Sequence, residues 1–108
     1  MLPVCEPANI ITLGEGFTPI LDIPILSKQV GHNNLLIKDE GVNPTGTFKA
    51  RGLSAATSRA KELGISRITM PSAGNAAGAL AAYPAAGNLE ATVFMPRDAP
   101  AANRQESV

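Results

Sequence analysis

The chain has 108 residues, 44% of them hydrophobic, which allows one compact domain with a modest core and shows no sign of disorder or repeats. Nine basic side chains balance nine acidic ones, so no field of one sign exists to hold a nucleic acid or an anionic membrane surface. The single cysteine, Cys5, cannot form an intrachain disulfide and has no His or Cys neighbour at ligand spacing; no metal site and a reducing cytoplasm are expected.

Residues 1–34 carry Pro3, Pro7, Pro19, Pro24 and several glycines. They read as an extended or looped amino-terminal segment with a short apolar run at Thr18 to Leu26 and one helical turn from Ser27 to Val30, ended by Gly31. Leu35-Leu36-Ile37-Lys38 is a short apolar run without helical spacing, followed by Gly41 and Asn43-Pro44, and predicts a strand. From Phe48 to Leu63, Leu53, Ala56, Ala60 and Leu63 recur at intervals of three and four, which predicts an amphipathic helix with these residues inward. Arg59 and Lys61 suit its negative end, and Gly64 is placed to stop it in a left-handed conformation.

Beyond it, Arg67 to Pro71 reads as a strand, Asn75 to Ala86 as a helix, Ala91 to Met95 as a strand and Ala101 onward as a further helix. Pro84 removes a backbone donor and costs about 3 kcal/mol in a helix interior, so the second long helix is expected to end near Tyr83. The stretch from Ala76 to Ala86 is too short to span a bilayer, and the opening residues lack a basic region before an apolar core. Aromatic residues total only 4%, so the core is built from small side chains, as where helices lie on a sheet. The alternation of strand and helix over residues 35–108 argues for an α/β fold with a parallel sheet and flanking helices. Ligands in such sheets collect at the carboxyl ends of the strands, which directs attention to the loops Asp39 to Phe48 and Pro71 to Asn75.

The first of these loops ends in a helix whose opening turn holds Lys49 and Arg51, two cations at the positive end of the dipole. Stability does not favour that placement. Function does, because positive potential and partial desolvation promote a neutral, nucleophilic amine that condenses with an aldehyde, with Arg51 free for a phosphate or carboxylate. Two solvated surface cations are the competing reading. In the second loop, Ser72-Ala73-Gly74-Asn75-Ala76 places small residues where a strand runs into a helix, and its free backbone N–H groups suit an anion. Ordinary capping by Ser72 or Asn75 explains the same residues. His32, beside Gly31 and Asn33-Asn34, reads as a surface turn residue, and Leu13-Gly14-Glu15-Gly16 lacks the spacing of a phosphate loop and reads as a plain turn. No pair of carboxylates and no Ser, His and Asp set forms an acid–base or nucleophile constellation.

Three blocks together resemble one family. Leu13-Gly14-Glu15-Gly16-Phe17-Thr18-Pro19, the run from Lys38-Asp39-Glu40-Gly41 through Asn43-Pro44-Thr45-Gly46-Thr47-Phe48-Lys49-Ala50-Arg51-Gly52, and Pro71-Ser72-Ala73-Gly74-Asn75-Ala76 are similar, in order and spacing, to threonine synthases among the fold-type II pyridoxal-phosphate enzymes. The fold implied is that of the tryptophan synthase β-like group. The resemblance implies pyridoxal 5'-phosphate bound to Lys49 as a Schiff base, with the freed lysine moving protons. It gives Asn75 the cofactor's phenolic oxygen, Phe48 a wall beside the cofactor, and Ser72, Ala73, Asn75 and Arg51 the substrate. The reaction implied is carbon–oxygen lyase chemistry, turning O-phospho-L-homoserine and water into L-threonine and phosphate. A homodimer is an option in full-length members.

The departures shape the expectation. Family members are several times longer, and their phosphate-binding loop and the residue facing the pyridine nitrogen come after the blocks seen here. Met1-Leu2-Pro3-Val4 is similar to an internal stretch of the family. Residues 35–108 are therefore expected to form part of a pyridoxal-phosphate domain that continues in the family, in a fragment with little activity alone. A serine or threonine dehydratase-like lyase and a non-catalytic remnant are the alternative readings.

Overall fold

The computed structural model describes residues 3–107; Met1, Leu2 and Val108 lie outside the described residues. The chain orders itself as a strand β1 (Ile20–Asp22), helix α1 (Pro24–Gln29), strand β2 (Leu36–Lys38), helix α2 (Lys49–Glu62), strand β3 (Arg67–Pro71), helix α3 (Asn75–Ala86), strand β4 (Glu90–Phe94) and helix α4 (Ala101–Gln105), with short 3-10 turns at Pro7–Asn9, Glu40–Val42 and Pro44–Gly46.

The second half follows the expected pattern. β3 and β4 pair in parallel, from Arg67 opposite Glu90 to Pro71 opposite Phe94. Helix α3 connects them and packs on β4, and α2 packs beside α3. Ile68, Met70 and Val93 are half-buried, while Thr69, Thr92 and Phe94 stay exposed, so one face of the pair is covered and the other is open.

The first half departs from expectation in three ways. The helix at its centre begins at Pro24 rather than Ser27, because proline fits the first helical position, where its missing N–H costs nothing. β2 is a strand as expected but not a member of the parallel sheet: it pairs antiparallel with β1, Ile20 opposite Lys38 and Asp22 opposite Leu36. The β1–β2 pairing crosses residue 34. The looped segment is also built into the core through Ile11, which clusters with Ala50, Ala60, Ala79, Tyr83 and Leu89.

Helix α2 buries part of the face its apolar spacing marks, with Ala60 in the core and Leu53 packed against it, but its inward face is shifted. Ser54, Thr57 and Ser58 are buried, whereas Ala56 and Leu63 are exposed. The reason is the backbone of Ile11. Its N–H donates to Ser58 Oγ at 2.8 Å, and its carbonyl accepts from Ser54 Oγ at 2.8 Å. A buried backbone needs partners, and the two serines supply them one helical turn apart.

Both long helices end in the same device. At α2, Gly64 (φ +72°) is left-handed, with Ile65 N–H donating to Ala60 O and Gly64 N–H to Lys61 O. At α3, Asn88 (φ +57°) takes that place, with Leu89 N–H donating to Pro84 O and Asn88 N–H to Ala85 O. Helix α3 thus runs through Pro84 to Ala86 instead of stopping near Tyr83. Proline there forfeits one hydrogen bond in the last turn, its carbonyl anchors the terminating motif, and its ring is fully buried.

The molecule measures 51 × 39 × 15 Å with a radius of gyration of 16.8 Å, against about 13 Å for a compact domain of this length. It is a plate, and Phe17, Ile25 and Phe94 stand in solvent on it. No helix is long and apolar enough to cross a membrane among the described residues.

Candidate active site

The two loops singled out by sequence lie at one end of the plate. β3 runs into α3 through Ser72–Gly74, and α2 returns to the start of β3 through Gly64–Ser66, so the first turns of α2 and α3 both stand at the carboxyl end of β3. The Pro44–Gly46 turn packs on α3 directly. Lys49 and Asn75 are each the first residue of a helix, and chain order directs both helix starts toward that end, while Thr45 of the lysine loop meets α3 further along, beside Gly78 and Ala81.

Lys49 is half-buried, between exposed Phe48 and fully buried Ala50. Thr47 Oγ1 accepts its N–H at 3.0 Å in a local turn just before α2. Its Nζ lies 4.8 Å from the centroid of the Phe48 ring and, among the described residues, takes part in no ion pair. The amine is thus free of a competing carboxylate and bounded on one side by an aromatic face.

Arg51 is not free. Its Nε donates to Glu40 Oε2 at 2.6 Å and its terminal nitrogen to Glu40 Oε1 at 2.9 Å, a two-pronged pair, with a further bond to Thr18 Oγ1 at 3.2 Å. Two of its three nitrogens are thus engaged by groups of the chain itself, while the side chain stays partly exposed. Hydrogen bonds from Arg51 and Thr18 bring Glu40 down to about 2 from the usual carboxylate value, and Glu40 in turn raises Arg51. Asn43 Nδ2 also donates to Glu40 Oε2, and Asn43 Oδ1 accepts from Gly16 N–H.

At the second loop, Ser72 N–H bonds Phe94 O, which extends the ladder of the sheet by one residue. Ser72 Oγ accepts from Gly74 N–H at 3.3 Å, and Ala73 O accepts from Asn103 Nδ2 of α4 at 2.6 Å. The residue capping α3 is Gly74, in an extended conformation and without a side-chain cap, so neither Ser72 nor Asn75 caps the helix. Asn75 is exposed, and space around Gly74 is open to beyond 4 Å. Backbone N–H groups at a helix start of this kind suit an anion. A lysine amine without an ion pair among the described residues, beside an aromatic ring, and a helix start without a side-chain cap fit a phosphorylated aldehyde and a carboxylate.

Two groups with no role expected from sequence matter to this end. Glu15, in the glycine turn, accepts from Tyr83 O–H at 2.8 Å and from Leu13 N–H at 3.0 Å. Burial opposes its ionisation, yet the hydroxyls of Ser54 and Tyr83 and the local N–H groups lower it to about 2, while burial and Glu15 push the phenol up. Glu40 is the other. Its place in the Asp39-Glu40-Gly41 block was legible, but a partner eleven residues away was not. His32 is exposed beside left-handed Gly31, as expected of a turn.

Comparison with known proteins decides the family. Residues 11–107 match the model of the pyridoxal-phosphate dependent enzymes. The chain belongs to that family. The threonine synthases of Synechocystis sp. and Methanocaldococcus jannaschii are each 41% identical to it, over 96 and 95 residues, and that of Halalkalibacterium halodurans is 45% identical over 95 residues. Each alignment covers 88% of this chain but 25%, 24% and 27% of the respective relative. The chain spans about a quarter of the length of these relatives, and the family's cofactor is pyridoxal phosphate.

Proposed function

We propose that this chain supplies the cofactor lysine and the carboxylate-binding loop of a threonine synthase-like lyase, which converts O-phospho-L-homoserine and water to L-threonine and phosphate. The observation that carries the reading is Lys49, without an ion pair among the described residues, at a helix start that chain order directs toward the same end as the start of α3, which has no side-chain cap. Its threonine synthase relatives support the choice of reaction.

On this reading Lys49 Nζ would hold the cofactor's aldehyde carbon and, as a free amine, would take and return protons at the substrate carbons. Pyridoxal phosphate, when bound, supplies the electron sink for that chemistry. The Asn75 amide donates to the cofactor's phenolic oxygen, and Phe48 walls the ring. Ser72, the Ala73 backbone and the free N–H groups at Asn75 receive the substrate carboxylate. Arg51 stays outside the substrate site. Residues 35–108 form part of the pyridoxal-phosphate domain, with Ile11 and β1 packed into it.

The reaction is tested by supplying O-phospho-L-homoserine to the chain saturated with pyridoxal phosphate. Slow release of phosphate in step with threonine, above the rate of the free cofactor and lost in Lys49→Ala, is the expected result. A 2-oxo acid formed from serine or threonine, with no phosphate released from the phosphoester, overturns it in favour of a dehydratase.

A further inference from the structure

Lys49 stands near the end of a closed loop. The chain leaves Glu40, passes the turns at Glu40–Val42 and Pro44–Gly46, and returns at Arg51, whose guanidinium grips the Glu40 carboxylate with two hydrogen bonds of 2.6 and 2.9 Å. The same carboxylate accepts from Thr18 Oγ1 at 2.6 Å and from Asn43 Nδ2 at 2.9 Å. Thr18 O accepts from Lys38 Nζ at 2.8 Å, and Asn43 fixes Gly16 N–H. One side chain thus ties the end of β2, the lysine loop and the first turn of α2, and Asn43 joins the glycine turn to them.

The consequences for Lys49 follow from its neighbours. Ala50 is fully buried in the core, and Arg51 is held by Glu40. With both following residues fixed, the backbone of Lys49 cannot swing, and only its own side-chain torsions remain to search for a reacting carbon. An amine held within reach of an aldehyde reacts far faster than one that must find it, and a displacement of about 1 Å costs on the order of a hundredfold. A single peptide segment closed by a charge-assisted pair is also less costly to order when a ligand arrives.

We infer that Glu40 is the positioning residue for Lys49, acting through Arg51, Thr18 and Asn43 to close the loop that carries the amine. This rests on the reading of Lys49 as the cofactor lysine. Glu40 touches neither cofactor nor substrate; it sets where the Lys49 amine starts. The glycine turn of residues 13–16 and the lysine block, far apart in sequence, are on this account one device joined through Asn43, which bonds both Gly16 N–H and the Glu40 carboxylate.

The test uses the 108-residue chain, pyridoxal phosphate and borohydride, with the rate of adduct formation at Lys49 followed as the aldehyde concentration is raised. A positioning role predicts that Glu40→Gln lowers the limiting rate at Lys49 by about tenfold and leaves the half-saturating concentration within about twofold, because Phe48 and Asn75, the residues assigned to the cofactor's ring, are untouched. Arg51→Lys, which keeps the charge but loses the two-pronged grip, shows the same split. Amide exchange at Gly46 and Ala50, read without cofactor, quickens in both variants. Should Glu40→Gln fail to fold, Thr18→Val removes one donor to the carboxylate and is read the same way, with a smaller loss. An unchanged limiting rate in the folded variants, or a change confined to half-saturation, overturns the inference. No saturable labelling of Lys49 in the unaltered chain overturns the cofactor-lysine reading instead.

Discussion

The phenol of Tyr83 donates a 2.8 Å hydrogen bond to Glu15 Oε2, joining α3 to a glycine turn sixty-eight residues away in sequence. The contact leaves neither group unmet: Tyr83 is fully buried, and a buried hydroxyl needs a partner. Removing it by Tyr83→Phe leaves the carboxylate one donor short and costs about 2 kcal/mol, the range for a hydrogen bond to a charged group. Urea unfolding of the variant near neutral pH checks this, and an unchanged midpoint contradicts it.

The same pair gives the fold an acid-sensitive term. Glu15 and Glu40 both lie near 2 in the folded chain, below the 4.5 of a free glutamate. Depressed carboxylates contribute stability that is fully present above about pH 4.5 and is lost as pH falls toward about 2. The chain is expected to lose stability through that window, and Glu15→Gln to flatten the loss while lowering stability at neutral pH. Denaturation midpoints measured across the window decide it; a slope as steep in Glu15→Gln as in the unaltered chain removes Glu15 from the account.

Thr45, in the lysine loop, is held left-handed at φ +64° and ψ +16°, and among the described residues its buried Oγ1 has no hydrogen-bond partner. That conformation costs a side-chain-bearing residue about 1–2 kcal/mol, while glycine there pays about 0.5–1 kcal/mol in backbone entropy. Thr45→Gly is therefore expected to raise stability by up to about 1 kcal/mol. A loss of stability instead indicates that the hydroxyl is partnered in solution.

Two glycines make opposite kinds of demand. At Gly64 a Cβ meets nothing within 4 Å, but φ is +72°, so Gly64→Ala costs about 1–2 kcal/mol in backbone strain alone. At Gly87 φ is −90°, open to any residue, but a Cβ falls 2.2 Å from Ile11 Cδ1 and 2.8 Å from Leu89 Cδ1, and overpacking of that kind costs about 1–3 kcal/mol. Pairing Gly87→Ala with Ile11→Val, which withdraws the clashing methyl, is expected to recover part of the loss, whereas the same partner change does nothing for Gly64→Ala. Thermal unfolding of the four variants separates the two causes.

Periodicity and turn residues made the second half of the fold legible. The bounds of β3, the start of α3 and the glycine stop of α2 follow from local rules that tertiary contacts left intact, whereas the end of α3 passes the proline that was expected to stop it. What local rules could not show was partnership. The inward face of α2 is set by the backbone of Ile11, which needs Ser54 and Ser58, and hydrophobic spacing does not register such a need. The antiparallel place of β2 depends on β1, a three-residue strand exposed throughout and without a pattern of its own. At the candidate site, Lys49, Phe48, Ser72 and Asn75 were visible as motif residues, but the engagement of Arg51 was not, because Glu40 and Arg51 are neighbours only after the loop folds.

The most direct test of the central claim maps where the chain captures its cofactor. Incubated with pyridoxal phosphate, reduced with borohydride and digested, the chain is expected to carry one saturable adduct, on Lys49, that disappears in Lys49→Ala while Lys28, Lys38 and Lys61 label only slowly and without saturation. Labelling spread evenly over the lysines, or a pattern unchanged in Lys49→Ala, contradicts the claim.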